Sequence, residues 1–256
     1  MMDFNDGKMY HIGISPEQGT PFVLLTGDPG RVETIARRLD HPAFVAANRE
    51  YTTWAGELWG QRVLVISHGI GGPSTAICVE ELACCGAKTL LRIGTCGGMR
   101  LDVKGGELVA ATAAIRHEGT SREYLPVEFP AVADFTVTAA LLEAAQRQGH
   151  TVHAGVVHCK DSFYGQHSPE DSPVGGELQS SWNSYLRGGC LASEMESAAL
   201  FAVSAARGLK AGCLLQVLWN QEREKAGLDN PRAQNTDAAI DTAVEAFRLL
   251  IGRGIR

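Results

Sequence analysis

The 256-residue chain contains no run approaching ~18 uninterrupted apolar residues, so no membrane-spanning helix is expected. Its opening stretch, MMDFNDGKMYHIG, has no apolar core of the kind a secretory signal needs. It also lacks any C-x-x-C pair. The seven cysteines, at 78, 84, 85, 96, 159, 190 and 213, are odd in number, which argues against a zinc knuckle or a disulfide framework. Reduced thiols and a cytoplasmic location are expected. Positive charge is not in excess: 23 Lys and Arg against 29 Asp and Glu leave a formal charge of −6. That balance opposes broad capture of nucleic acid, and no membrane partner is expected. No glycine turn is followed by the Lys-Ser/Thr of a Walker loop, and none fits G-x-G-x-x-G with a suitably placed acidic residue. Ordinary mononucleotide and dinucleotide folds are thereby disfavoured.

What is present is a globular composition, 45% apolar and 20% charged, long enough for a substantial core without staples. There is no internal repeat and no linker, so 1–256 reads as a single domain. Residues 21–26 (PFVLLT), 62–67 (RVLVIS), 89–93, 107–112, 151–159 and 212–219 read as strands. Helices are expected after Asp28-Pro29, from Pro73 toward Gly86, and over 137–148, 194–207 and 236–251. This interleaving predicts an α/β layered sandwich. Residues 161–189 are rich in Gly, Ser and Pro and read as a long loop, a candidate lid with Phe163 and Tyr164 at its root.

Three glycine-rich segments follow strands: GDPGR at 27–31, GIGGP at 69–73 and GTCGG at 94–98. Glycine allows close backbone approach to a ligand, and helix N-termini present free N–H groups to anions. Arg31 and Arg92 stand beside them, and a guanidinium matches phosphate oxygens. Ser193 and Glu196 fit a capping box, S-x-x-E, which read alone makes Glu196 a helix-end residue. Glu194 and Glu196 lie ~200° apart on a regular helix and cannot share a proton there. His153 and His158 fall on opposite faces of one strand, so they cannot chelate together, and His150 adds no pattern. His68 is read as structural or pocket-lining. Cys96 has no partner of nucleophile chemistry in the sequence and is read as packing.

Several linked motifs then appear in one order: HIGI at 11–14, GDPGRVETIA at 27–36, NREYTTW at 48–54, SHGIGGPSTAICVEEL at 67–82, LRIGTCGG at 91–98, EFPAVADF at 128–135, DSFYGQ at 161–166 and EMESA at 194–198. Together they resemble the uridine phosphorylase branch of the nucleoside phosphorylase family, of trimeric and hexameric type. The resemblance implies a three-layer α/β/α sandwich with a mixed, partly barrel-like central sheet. It implies phosphorolysis of uridine, or a related pyrimidine nucleoside, to free base and ribose 1-phosphate. Inorganic phosphate is then a co-substrate and no cofactor is required. By the resemblance, Gly27, Arg31, Arg49, Arg92 and Thr95 hold phosphate. His11, Glu194, Met195 and Glu196 hold ribose, with Arg92 and Glu196 catalytic. Phe163, Gln166 and Ser168 meet the base. Glu50, Ile70 and Ser74 match positions that hold a monovalent cation, K+, between paired subunits. A homohexamer built as a trimer of dimers is implied, in which His11 and Arg49 complete a neighbour's site.

The base pocket departs from the family pattern. Ser168 and Gln221 stand where arginines are usual, with one residue fewer after Tyr164. His167 and Arg223 are candidate replacement donors, and Trp219 narrows the pocket. Asn220 stands where purine-cleaving relatives place an Asp, and an amide is no general acid. A different base preference and a nucleoside-binding homologue with little catalysis are the alternative readings.

Overall fold

The computed structural model describes residues 7–255; the opening residues 1–6, read above for signal character, lie outside them. Strand β1 (Phe22–Thr26) is buried along its whole length, as a continuous apolar run demands. Its side chains alternate: Phe22 and Leu24 face one hydrophobic cluster, Val23 and Leu25 the other. β1 lies parallel between β4 (Gln61–Ser67) and β5 (Thr89–Gly98). Beyond β4 the sheet continues antiparallel through β3 (Tyr51–Leu58) to the edge strand β2 (Asp40–Asn48).

On its other side the sheet curls into a ring. β5 pairs with β10 (Lys210–Asn220), β10 with β6 (Leu108–His117), β6 with β8 (Val152–Lys160), and β8 with the short β9 (Ala192–Glu194). β9 pairs back onto β5 through Gly97–Ser193 and Gly98–Ala192, closing five strands. A two-residue β7 (Ala131–Val132) adds to β6.

Helices cover both faces. Cys78, Val79 and Leu82 of α2 (Gly72–Cys84) pack into one cluster with Leu200, Phe201 and Val203 of α6 (Ser197–Ala206). On the opposite face α1 (Val32–Ala36), α3 (Phe135–Arg147) and α8 (Asp237–Gly252) bury Ile35, Leu141 and Phe247. The result is the expected three-layer α/β/α arrangement with a mixed, partly closed sheet.

Four local readings are corrected. The stretch 161–189 is mostly helical: α4 (Phe163–His167), a 3-10 turn at Pro169–Asp171, and α5 (Gly175–Arg187). α5 buries only Trp182, so its sequence has little apolar periodicity to read. The GTCGG segment is the end of β5, not a turn, and Gly94 explains why glycine is there. A Cβ at Gly94 would lie 1.8 Å from Nη1 of Arg92, so glycine clears room for that guanidinium inside a strand. The helix expected from residue 194 starts only at Ser197, because Ala192–Glu194 is drawn into the ring. β2 and β3 carry no predicted strand; β2 is largely exposed, contains Pro42 and has no clean alternation.

Candidate active site

The C-terminal ends of β1, β4, β5, β8 and β10 converge with the β9–α6 junction around one cavity of about 780 Å³. Open α/β sheets bind ligands at such strand ends. Asp28 accepts from the Gly30 N–H at 2.8 Å and shapes the β1–α1 turn, which brings Gly27 and Arg31 to the wall. From β5 come Arg92 and Thr95; from the β9–α6 junction come Glu194, Met195 and Glu196.

Arg92 and Glu196 form a buried ion pair, Nη2 to Oε2. Burial opposes the charge on Arg92, yet Glu196 foremost holds it protonated. Burial likewise opposes ionisation of Glu196, and Arg92 and the Gly71 N–H hold its carboxyl below the usual range. That N–H donates to Oε1 at 2.7 Å from a turn in which Gly71 has φ 86°. The pair is thus charged, buried and held by strand β5, the β9–α6 junction and the Gly71 turn. Nε of Arg92 is buried and has no hydrogen-bond partner among the described residues.

The expected capping box is absent. Glu194 does that work instead: its carboxylate accepts from the N–H of Glu196 at 2.9 Å, the N–H of Ser197 at 3.0 Å, and the Ser197 hydroxyl. Glu194 faces the cavity with its oxygens already engaged. This frees Glu196, whose φ of −132° at the helix entrance turns it toward Arg92. Ser193 does not cap the helix; it lines the cavity, donating to Oε1 of Gln166 at 2.7 Å and accepting from Nζ of Lys160 at 2.9 Å.

Phe163, Gln166 and His167 of α4 form the far end of the cavity with Trp219 and Leu218 of β10. The His167 ring lies 4.4 Å from that of Phe163 and 5.8 Å from Trp219. Ser168, expected at the base, is outside the cavity lining. Its N–H closes α4 onto the Tyr164 carbonyl at 2.8 Å and the chain turns away. Arg223 does not reach in either: Nε donates to the Asp229 carbonyl at 2.6 Å and Nη1 to that of Leu101. Asn220 caps the short helix α7 (Gln221–Lys225) and donates to the carbonyls of Arg100 and Val103, both at 2.8 Å. Lys160 lines the cavity, and no motif in the sequence pointed to it.

His11 and Arg49 lie outside this lining and next to one another. Nδ1 of His11 sits 2.6 Å from Oε1 of Glu81, and the Arg49 guanidinium lies 5.8 Å from the centre of the Tyr10 ring. Asn48 ties the two segments by donating to the His11 carbonyl at 2.8 Å. Arg49 holds a left-handed φ of 54° in the tight β2–β3 turn, an uncommon conformation for a long side chain. Glu50, the next residue, does reach the cavity, as do Ile70 and Ser74; the Ser74 hydroxyl donates to Glu50 at 2.8 Å. Cys96 is buried, its thiol pushed well up by burial, and its Sγ lies 3.8 Å from the Gln216 carbonyl.

The phosphorylase superfamily profile matches residues 21–252. The chain belongs to the phosphorylase superfamily. Within it, a uridine phosphorylase of Treponema pallidum is 52% identical over 242 residues, 94% of each chain. A uridine phosphorylase of Escherichia coli is 40% identical over 248 residues, 95% of this chain and 98% of its own. A guanosine phosphorylase of Halorubrum lacusprofundi is 38% identical over 210 residues, covering 82% of this chain and 83% of its own. This superfamily member therefore carries its buried Arg–Glu pair within a chain matched almost end to end. Among the described residues no helix is long and apolar enough to cross a membrane, and no cluster of three or more His, Cys, Asp or Glu residues could hold a metal ion.

Proposed function

We propose that the chain is a pentosyltransferase that cleaves uridine with inorganic phosphate, giving uracil and ribose 1-phosphate. The observation that carries this reading is the single cavity in which the buried Arg92–Glu196 pair stands between the Gly27–Arg31 turn and the Phe163–Gln166 wall. Near full-length identity to uridine phosphorylases supports it.

In this reading Gly27, Arg31, Arg92 and Thr95 hold phosphate, the guanidiniums matching its oxygens. Glu196 accepts from ribose hydroxyls, with Met195 packing against the sugar. Positive charge builds on the ribose as the N-glycosidic bond breaks, and bonds to the 2′-hydroxyl strengthen there. Glu196 is an anion fixed in place before reaction, so it meets that charge without reorganisation. Phosphate oxygen attacks C1′, the C1′–N1 electron pair leaves on the base, and the proton of hydrogen phosphate balances the base. Phe163 stacks on the pyrimidine, and Gln166 bonds its polar edge.

The active assembly is a cytoplasmic homohexamer, with His11 and Arg49 reaching a neighbour's ribose and phosphate. Their position outside their own cavity, held together by Asn48, supports that role. Glu50 and Ser74 offer oxygen donors, hydrogen-bonded to one another, with Ile70 beside them in the cavity wall. Its own N–H and the Ser74 hydroxyl hold the Glu50 carboxyl below the usual range. Such donors fit K+ chemically, and the ion would contribute charge at the subunit boundary. Helix α4 and its neighbour α5, rather than a loop, form the cover over the base end.

The test is incubation with uridine, thymidine, inosine and adenosine, with and without phosphate, followed by chromatography of free base. Phosphate-dependent uracil release is expected. Base release without phosphate, or release of purines only, overturns the proposal.

A further inference from the structure

Lys160 stands at the end of β8, buried, with 7% of its surface exposed. It lines the main cavity and also a smaller one of about 170 Å³ beneath α4 and α5. Among the described residues no carboxylate lies within ion-pair distance, and the hydrogen bond of its ammonium goes to the neutral Ser193 hydroxyl at 2.9 Å. Its direct partner is neutral, and the Glu194 and Glu196 carboxylates compensate its charge only from beyond ion-pair distance. Two of its three N–H donors remain for whatever enters the cavity.

Its position within the cavity is set by Ser193. That hydroxyl bridges Lys160 to Gln166, whose Oε1 lies 2.7 Å away. Lys160 therefore belongs to the base end, with Gln166 and Phe163, and not with Arg31 at the anion end. The two cations of the opposite end, Arg92 beside Glu196 and Arg31 beside Asp28, are assigned to phosphate in the proposed reading. Of the other candidate base-end donors, Arg223 is spent on carbonyls, Ser168 is outside the lining, and His167 lines the cavity as a ring that burial disfavours from carrying charge.

We propose that Lys160 is a catalytic residue that donates to a carbonyl oxygen of the leaving base and stabilises the negative charge it acquires. This inference rests on the phosphorolysis reading. As C1′–N1 breaks, its electron pair delocalises onto the base carbonyls, and the ammonium meets that charge without itself losing a proton. The base then takes the proton balanced by phosphate. Burial lowers the pKa of Lys160, while Glu194 opposes that shift, so an arriving anion finds a cation already short of solvent.

The test is K160M, which removes the charge and keeps an unbranched side chain. Turnover of uridine is compared with that of 5-fluorouridine, whose base leaves more readily as an anion because fluorine withdraws electrons. Melting temperature and the KM for phosphate are measured alongside. kcat/KM for uridine is expected to fall about 100-fold, the usual order for removing one oxyanion donor. The loss with 5-fluorouridine is expected to be under about 10-fold, since a better leaving group needs the donor less. Phosphate KM should stay put. Equal losses for the two nucleosides, or no loss with uridine, overturn the Lys160 assignment while leaving phosphorolysis intact. Failure of the wild-type enzyme to release uracil overturns the phosphorolysis reading and the assignment with it.

Discussion

Replacing Glu196 with glutamine keeps the side chain's shape and removes its charge. Oε1 can still accept from the Gly71 N–H, now 2.7 Å away. Arg92, 3% exposed, loses its closest counter-ion and retains Glu194 at 3.7 Å and the Cys213 sulfur at 3.7 Å. Removing one partner of a buried pair costs about 3–5 kcal/mol. Glu194 and the surviving backbone bond place this variant near the lower end, about 3 kcal/mol. At about 2–4 °C per kcal/mol for a chain of this size, Tm should fall about 6–12 °C. Turnover should fall about 100- to 1000-fold, because the fixed anion that the proposed reading sets against the sugar is gone. Saturating phosphate should raise Tm more in the variant than in wild type, since the anion re-pairs Arg92 and binds only the folded state. Differential scanning calorimetry and uracil chromatography read these quantities. An E196Q enzyme with wild-type turnover and unchanged Tm would refute the reasoning.

Further outcomes follow from the same geometry. If Arg49 serves a neighbour's site, co-assembled Arg49→Ala and Arg92→Ala subunits should regain activity that neither has alone, reaching about one quarter of wild-type sites for random isologous pairing; mixed assemblies as inactive as the parents would count against the exchange. His68 is fully buried, 3.1 Å from the Thr75 hydroxyl, and burial with Arg92 pushes its pKa down to about 4. The unfolded chain binds the extra proton below its ordinary value of about 6.5, so stability should fall by about 3 kcal/mol as pH drops from there toward 4. His68→Gln should reduce that slope in urea titrations, and an unchanged slope would show that His68 is not its source. Gly94→Ala should displace the Arg92 guanidinium and cut turnover with a stability loss of about 1–3 kcal/mol; a fully active variant would mean the close approach is unimportant.

The layered core was legible in the sequence because its signals are local. The fully buried β1, with its run of four apolar residues, and the Pro73 near the start of α2 each announce themselves within a few residues. Other features depend on partners far along the chain. Glu194 and Glu196 exchange their apparent jobs because β9 is pulled into the ring by Gly97 and Gly98, nearly a hundred residues away in sequence. The glycines of 94–98 resemble a turn, yet Gly94 sits in a strand to clear Arg92. Lys160 belongs to no recognisable pattern; its meaning comes from burial beside Ser193 and Gln166. Arg223 and Ser168 were plausible by position, and only helix ends and side-chain direction remove them from the pocket.

The two ends of the cavity are built with unequal commitment to the fold. Arg92 and Glu196 rest on β5 and on the start of α6, inside the hydrophobic layers, where substitution disturbs the whole domain. Phe163, Gln166 and His167 ride on α4, a five-residue helix packed against α5, whose one buried residue is Trp182. Sequence change on α4 therefore carries little structural penalty. On the proposed reading, the half assigned to the anion and the sugar would stay constant over evolutionary time, while the half assigned to the base would be free to drift, one surface substitution at a time.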